Sequence, residues 1–257
     1  MTEFIAALPM YDWPEAPAEV DAEWAGIRDR LLAAGIEAPQ GLVRRNADMP
    51  PVPGGIRDAT GMFIAPDPAG LPPESLDLPT LWRHPLLLVA QTCWGPMETT
   101  GLATLVDVVA QPDYSRFEGG QGELYSSAIV MRSAGAADES GESSVINRLS
   151  GLRFAYNEAH SMSGYLALAR DLEAAGSSPA IFAGLEETGS HRASMRAVAA
   201  GRADVCAIDC RTWALARRFE PASARLRAVA WTGLRKGLPL ITRRRELAVR
   251  IAAALAD

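Results

Sequence analysis

Ser161 and Ser163, in the run Tyr156-Asn157-Glu158-Ala159-His160-Ser161-Met162-Ser163-Gly164, are the residues of this chain best placed to do chemistry, and that chemistry is anion capture. Arg153 to Tyr156 reads as a buried strand. From Ser163 onward, Tyr165, Leu168, Ala169 and Leu172 fall at the i, i+3, i+4, i+7 spacing of a helix. Both serines are good N-cap residues, so the helix start offers two hydroxyls and the free N–H groups of a first turn to one point. The helix dipole adds partial positive charge there, and Gly164 has no side chain to hold a ligand off the backbone. A serine before a helix is first of all a cap, so this segment alone does not establish a ligand.

Thr188-Gly189-Ser190-His191 repeats the design about thirty residues on, ahead of a helix whose buried face is Met195, Val198 and Ala199. Two such helix starts in a βαβ pattern can line one edge of a parallel sheet, where open α/β folds bind ligands. His191 adds a side chain that is charged or neutral according to ligand and pH, although capping or packing is its plainer reading. An enzyme would use His191 as base, Asp209 beside it, and Cys93 or Ser163 as nucleophile. No local motif such as a nucleophile elbow supports that alternative.

At 257 residues and 48% apolar, the chain can build one large domain or two small ones. Its formal charge of −6 excludes nucleic acid or an anionic membrane as partner, because either needs a basic face. The run Arg243-Arg244-Arg245 is expected in the first turn of the last helix, as solvated surface. Cys93, Cys206 and Cys210 make no disulfide framework and suit a reducing compartment. Cys206 falls on a strand and Cys210 on the helix after it, with no further ligand at metal spacing, so neither metal nor cofactor is expected. The N-terminus has no basic region or long apolar core, and no stretch reaches transmembrane length. Read as it stands, the sequence is cytoplasmic and not inserted in a membrane; with an upstream leader it would be periplasmic.

Phe4 to Leu8 is a first strand, followed by the loop Met10-Tyr11-Asp12-Trp13-Pro14. A helix with buried face Val20, Trp24, Ile27 and Leu31 then ends at Gly35. Residues 46–80 hold many prolines and glycines and read as an irregular excursion with one strand at Met62 to Ala65. Leu86 to Ala90 is a buried strand running into the polar loop Gln91-Thr92-Cys93-Trp94-Gly95-Pro96, a second candidate wall for a ligand. Thr104 to Ala110 and Tyr125 to Met131 are further strands, and 134–143 a loop. Regular alternation follows: helix near Val145 to Leu149, strand 153–156, helix 163–175, strand Ala180 to Leu185, helix 191–200, strand Val205 to Ile208, helix Arg211 to Phe219. Such βα units predict a parallel sheet covered on both faces. Strands Leu226 to Trp231 and Leu238 to Ile241 and a helix presenting Leu247, Ile251, Ala254 and Leu255 close the chain.

Taken in order, Tyr125-Ser126-Ser127-Ala128-Ile129-Val130, Asn157 to Gly164, Gly189-Ser190-His191, Met195 to Val198, Gly201 and Ala203-Asp204-Val205 resemble the PhnD-like phosphonate-binding proteins. These are solute-binding components of ABC transporters. The likeness runs over about residues 85 to 242. It implies an α/β type II periplasmic-binding fold of two lobes, 1–124 plus 211–257 and 125–210, closing on ligand by hinge motion. Carried over, it implies that Ser161 and Ser163 hold phosphoryl oxygens, that His191 adds a hydrogen bond and that Tyr125 contributes from the hinge. A small anionic ligand and an ABC permease are the partners implied. With Gly164, Ser190, Tyr11, Thr92 and Asp209 these residues make the expected binding set, and Trp94, Tyr11 and Trp13 could cover an apolar tail. The family's middle threonine is Met162 here. Of the two carboxylates that pair an ammonium group, one position is Arg211, with Asp209 two residues earlier, and the other has no counterpart in Thr232-Gly233-Leu234-Arg235-Lys236-Gly237. The expected ligand is therefore phosphate, phosphite or a phosphonate without an amino group. The alternative is a cytoplasmic enzyme or sensor on the same fold, acting on a small phosphorylated or carboxylated metabolite.

Overall fold

The computed structural model describes residues 4–133 and 148–256. The loop expected over 134–143 and most of the helix expected near Val145 to Leu149 lie outside them; Leu149 is described and buried. The chain divides into two units, Met1–Pro112 with Leu238–Asp257, and Asp113–Gly237.

The first unit is a four-stranded sheet. β1 (Ile5–Ala7) runs parallel to β4 (Leu87–Gln91). The returning strand β14 (Leu240–Thr242) lies antiparallel between β4 and β5 (Asp107–Ala110). Side chains alternate across the strands, so each face builds its own core. Ala6 and Val89, paired across the β1–β4 ladder, pack with Val20, Trp24, Ile27 and Leu31 of α1 (Pro17–Ala33) and Ile251 of α7 (Ala248–Leu255). Ile5, Ala7 and Leu87 pack with Val43, Met49, Leu81, Trp82 and Met97. The excursion over 46–80 holds a hairpin, β2 (Ile56–Arg57) with β3 (Phe63–Ala65), and at its end a helix not expected from sequence, α2 (Leu78–Arg83). Proline reads as a breaker, yet Pro79 sits in the first turn, where no N–H is needed, and Asp77 caps it by accepting from Thr80 N at 2.8 Å. α3 (Trp94–Thr99) follows β4, and β5 starts at Asp107 rather than Thr104 because Leu102–Thr104 forms a 3₁₀ turn.

The arginine run is corrected. It precedes α7 rather than opening it, and only Arg245 is exposed. Arg243 Nη1 donates to Leu105 O at 2.8 Å and Arg244 Nη1 to Pro85 O at 3.2 Å. Arg245 Nη2 donates to Thr104 O, so all three arginines satisfy carbonyls of their own unit.

The second unit is a five-stranded sheet in the order β10-β9-β11-β8-β12, beside a small sheet of β6 (Gly120–Gln121), β7 (Leu124–Tyr125) and β13 (Arg235–Lys236). β9 (Arg153–Tyr156), β10 (Gly184–Glu187) and β11 (Val205–Asp209) are parallel. β8 (Ser127–Arg132) pairs antiparallel with β11 on one side and β12 (Leu226–Trp231) on the other, so the sheet is mixed rather than wholly parallel. A π-helical turn, Met162–Leu166, leads into α4 (Ala167–Ala174); α5 (His191–Ala199) and α6 (Cys210–Phe219) follow β10 and β11. Ile129, Phe154, Leu168, Leu172 and Val205 share one core.

Three boundaries move. The strand expected from Ala180 begins at Gly184, because Ser178 and Pro179 open a 3₁₀ turn, Pro179–Ile181. The chain does not return to the first unit at 211: α6 and β12 stay in the second, since β12 completes its backbone bonding on β8. The second unit also begins earlier than 125, at Asp113, because the Tyr114 ring packs tilted against Tyr125 with centroids 5.6 Å apart and its N–H bonds Gly122 O at 2.7 Å.

At the far end of β9 and β11 from the serines, Asp204 accepts from Arg153 Nη2 at 2.8 Å, Nε at 2.9 Å and backbone N at 3.0 Å, with Arg132 at 3.4 Å. The Arg153 hydrogen bond holds this carboxyl well below the usual aspartate range. Because the folded value lies below the unfolded one, the stabilisation is complete above the ordinary value of about 3.9 and is lost as pH falls below it. Asp204→Asn is expected to lower unfolding free energy by about 1–2 kcal/mol at neutral pH and to flatten the acid limb of the stability curve, read by urea titration at several pH values.

Candidate functional site

β9, β10 and β11 run in one direction, so the segments after them emerge at the same edge of the sheet. After β9 comes the serine turn. Ser161, buried and extended at φ −71° and ψ 123°, is the N-cap, and its Oγ accepts from Gly164 N at 3.0 Å. The first turn is π-helical: Ser161 O takes both Tyr165 N at 3.2 Å and Leu166 N at 3.0 Å. The widened turn brings Ser163 to the edge. Ser163 is also buried, and its Oγ lies 2.9 Å from His191 Nε2.

After β10, Ser190 caps α5 through Oγ, which accepts from Ala193 N at 3.1 Å. Thr188 braces the start: its hydroxyl donates to Tyr156 O at 2.9 Å and stands 2.7 Å from Ser194 Oγ. His191 is the first residue of the helix, and Arg192 beside it bonds the buried Glu220 at 2.5 Å, with Arg196 at 2.9 Å on the same oxygen. Burial opposes that charge, but the two arginines hold the Glu220 carboxyl below its ordinary value, so the base of α5 is clamped to the turn after α6.

After β11, Asp209 caps α6, Oδ1 accepting from Thr212 N at 2.8 Å, and its Oδ2 lies 3.5 Å from His191 Nε2. Burial pushes the imidazole below its ordinary value, with Asp209 opposing, so His191 is neutral near pH 7. Ser163 and Asp209 thus meet the same ring nitrogen. A Ser–His–Asp relay needs the acid on one nitrogen and the serine on the other. Here Nδ1 is buried with no partner among the described residues, and the relay is not assembled. The thiol of Cys210, next in the chain, is pushed up to about 12 by burial, and Cys206, wholly buried, also lies above the ordinary thiol value, so neither is a nucleophile at neutral pH.

The expected residues fall into groups. Ser161, Ser163, Gly164, Ser190, His191 and Asp209 come together at one edge of the second unit's sheet. Tyr125, on β7 of that unit, is buried against Tyr114. Tyr11 and Thr92 belong to the first unit, after β1 and β4; both are buried, and Thr92 Oγ1 has no partner among the described residues. The segment Thr232 to Gly237 is held from α4: Asp171 accepts from Gly233 N at 2.7 Å and from Arg235 Nη2 at 2.5 Å. Two residues were missed as site members. Asn157 packs against Gly164, and Ser127 lies directly across the β8–β11 ladder from Asp209. The residue pattern around Ser127 carries no signal of that register.

Fold and neighbours agree: the architecture is that of type II periplasmic-binding proteins. PhnD1 from Prochlorococcus marinus (MIT 9301), solved with methylphosphonate, matches at TM-score 0.64 and 15% identity, over 100% of this chain and 85% of that one. A binding protein component of an ABC phosphonate transporter from Pseudomonas aeruginosa matches at 0.59 and 17%, over 99% and 73%. A Xanthomonas citri protein solved with ATP matches at 0.56 and 15%, over 99% and 82%. At such identities the likeness is one of fold. No curated protein matches the sequence. The model of the ABC transporter phosphonate periplasmic substrate-binding protein family matches residues 100–257, and the chain belongs to that family.

Gly164 is the tightest position of the site. A Cβ there would lie 1.7 Å from Asn157 Oδ1 and 3.1 Å from Ser161 Oγ. Gly164→Ala is expected to cost about 1–3 kcal/mol in thermal denaturation, and Asn157→Ala in the same chain to return most of it, because the clash is with that one amide.

Proposed function

We propose that the second unit binds a small phosphorus oxyanion, a phosphonate without an amino group, phosphate or phosphite, at the Ser161–Ser163–His191 edge of its sheet. The observation that carries this reading is the buried Ser163–His191 pair with Nδ1 left open. A buried polar nitrogen without a partner is costly, and a ligand oxygen or hydroxyl arriving at that edge removes the cost. Gly164 exposes backbone at the helix start, Ser161 keeps its O–H to donate after accepting from Gly164 N, and Ser163 adds a second hydroxyl. Neutral donors and helix N-termini suit an anion without any lysine in contact. Family membership supports the same ligand class, and an ABC permease is the partner we propose with it. Tyr125 and Ser190, of the same unit, are proposed as further contacts.

A thermal-shift panel tests the reading. Methylphosphonate, phosphite or phosphate at a hundred times its dissociation constant should stabilise by about 2.7 kcal/mol, several degrees at this size. Aminoethylphosphonate should do no better than methylphosphonate. Ser161→Ala with Ser163→Ala is expected to lose about 2–4 kcal/mol of binding by calorimetry. Removing the cap also costs about 1 kcal/mol of stability, so the variant's own melting point is the reference. A double variant that binds as tightly as wild type places the site elsewhere.

A further inference from the structure

His84, the residue after α2 in the first unit, is wholly buried, and both of its ring nitrogens are engaged. Leu86 N, two residues on, donates to Nδ1 at 3.2 Å, and Nε2 lies 3.0 Å from Pro50 O. A backbone N–H can only donate and a carbonyl can only accept, so these partners dictate one state, the neutral imidazole with its proton on Nε2. A proton on Nδ1 would face the Leu86 N–H and leave that group without an acceptor.

The bond to Pro50 carries weight because of what else holds that stretch. Among the described residues, every other hydrogen bond made by residues 50–71 stays within them: Val52 N and Ala69 N on Asp67, the turn over 58–62, and the β2–β3 ladder. The base of the excursion is closed separately by Asn46, whose Oδ1 accepts from Asp77 N at 2.8 Å and whose Nδ2 donates to Pro72 O at 2.9 Å. Those groups do not titrate near neutral pH. Ile56 and Ala65 add buried apolar contact, but Met62 and Phe63 are exposed, and a two-stranded hairpin is marginal without packing.

We propose that His84 is an acid-released latch: neutral, it fastens residues 50–71 to the first unit, and protonated at Nδ1 it lets go, so that the stretch detaches as the medium turns acid. Protonation breaks the Leu86 bond and puts a full charge in a buried place, with no carboxylate paired to the ring among the described residues. Burial holds the imidazole below its ordinary value, with Pro50 O and Asp67 opposing. The charged groups on the surrounding elements have other partners. On α2, Arg83 donates to Pro79 O and Thr100 O, and Asp77 caps the helix. Ahead of the 3₁₀ turn Pro68–Gly70, Asp67 holds Val52 N and Ala69 N. Asp48, before Pro50, is paired with Arg45, and Asp58 of the hairpin accepts from Thr60 and Met62. Before α7, Arg244 donates to Pro85 O and pairs with Glu246 at 2.6 Å. Because the folded value lies below the unfolded one of about 6.5, the fastening is complete above that pH and weakens as pH falls through it.

The experiment is hydrogen exchange of the full chain, read by mass spectrometry from about pH 7.5 down to about pH 5 and corrected for intrinsic amide rates. The expected result is protection within residues 50–71 that falls by up to about tenfold per pH unit below about 6.5, with β4 and the Asn46 base unchanged. Nitrogen NMR of the imidazoles at neutral pH should find the His84 proton on Nε2. His84→Gln, which keeps a donor for Pro50 O and does not titrate, should make the protection of 50–71 flat over the same range. A wild-type profile that is flat, or a His84 proton found on Nδ1, overturns the latch. So does a slope that survives in His84→Gln, which assigns the acid response to a carboxylate instead.

Discussion

The site depends on the parallel pairing of β9 with β10 and β11. Parallel strands share an end, and the segment leaving each one starts a helix there. Ser161 and Ser163, His191, and Asp209 come from three segments far apart in sequence, and they meet because the three strands point the same way. A single antiparallel strand among the three would send one of these helix starts to the opposite edge. The antiparallel β8 adds what a purely parallel sheet lacks, a strand that begins where the others end, and that puts Ser127 opposite Asp209.

Polar burial gives this edge its character. Native interiors satisfy nearly all their polar atoms, yet His191 Nδ1, Ser127 Oγ and Asn157 Oδ1 have no partners among the described residues. Elsewhere the unit is well supplied: Asp204 accepts from two arginines, Glu220 from two more, and Asp171 ties α4 to the segment after β12. This group of unspent donors and acceptors lies at the sheet edge where the helices start. It coincides with the serines of a family whose role is to hold small solutes.

The clamps and the site belong to one design. Glu220 grips Arg192 one residue from His191, and Asp204 joins the far ends of β9 and β11. Buried or half-buried ion pairs of this geometry contribute modestly to net stability but are costly to break, so they fix where helices start more than they strengthen the fold. Placing the imidazole to within a few tenths of an ångström matters here because a hydrogen bond decays steeply with distance and angle.

Much of this was legible in the sequence because it is local. Apolar spacing marked α1, α5 and the strands of the second unit, and serine before an apolar-periodic run marked the caps at Ser161 and Ser190, since both signals live within a few residues. The ordered serine, histidine and glycine motifs were enough to indicate the family. Where local rules conflict the reading failed: proline hid α2, in whose first turn it is tolerated, and an arginine run read as solvated surface bonds backbone carbonyls. Strand order was not available at all. Whether β12 joins β8 or returns to the first unit, and whether Ser127 faces Asp209, depend on pairings between residues distant in sequence. The sequence by itself determined the helix starts, the hydroxyls at them and the family. Only the tertiary structure decided that Ser163 and Asp209 meet one nitrogen of His191 and that Ser127 stands across from the acid, because register is set by whole-sheet packing and not by the residues that chemistry would use.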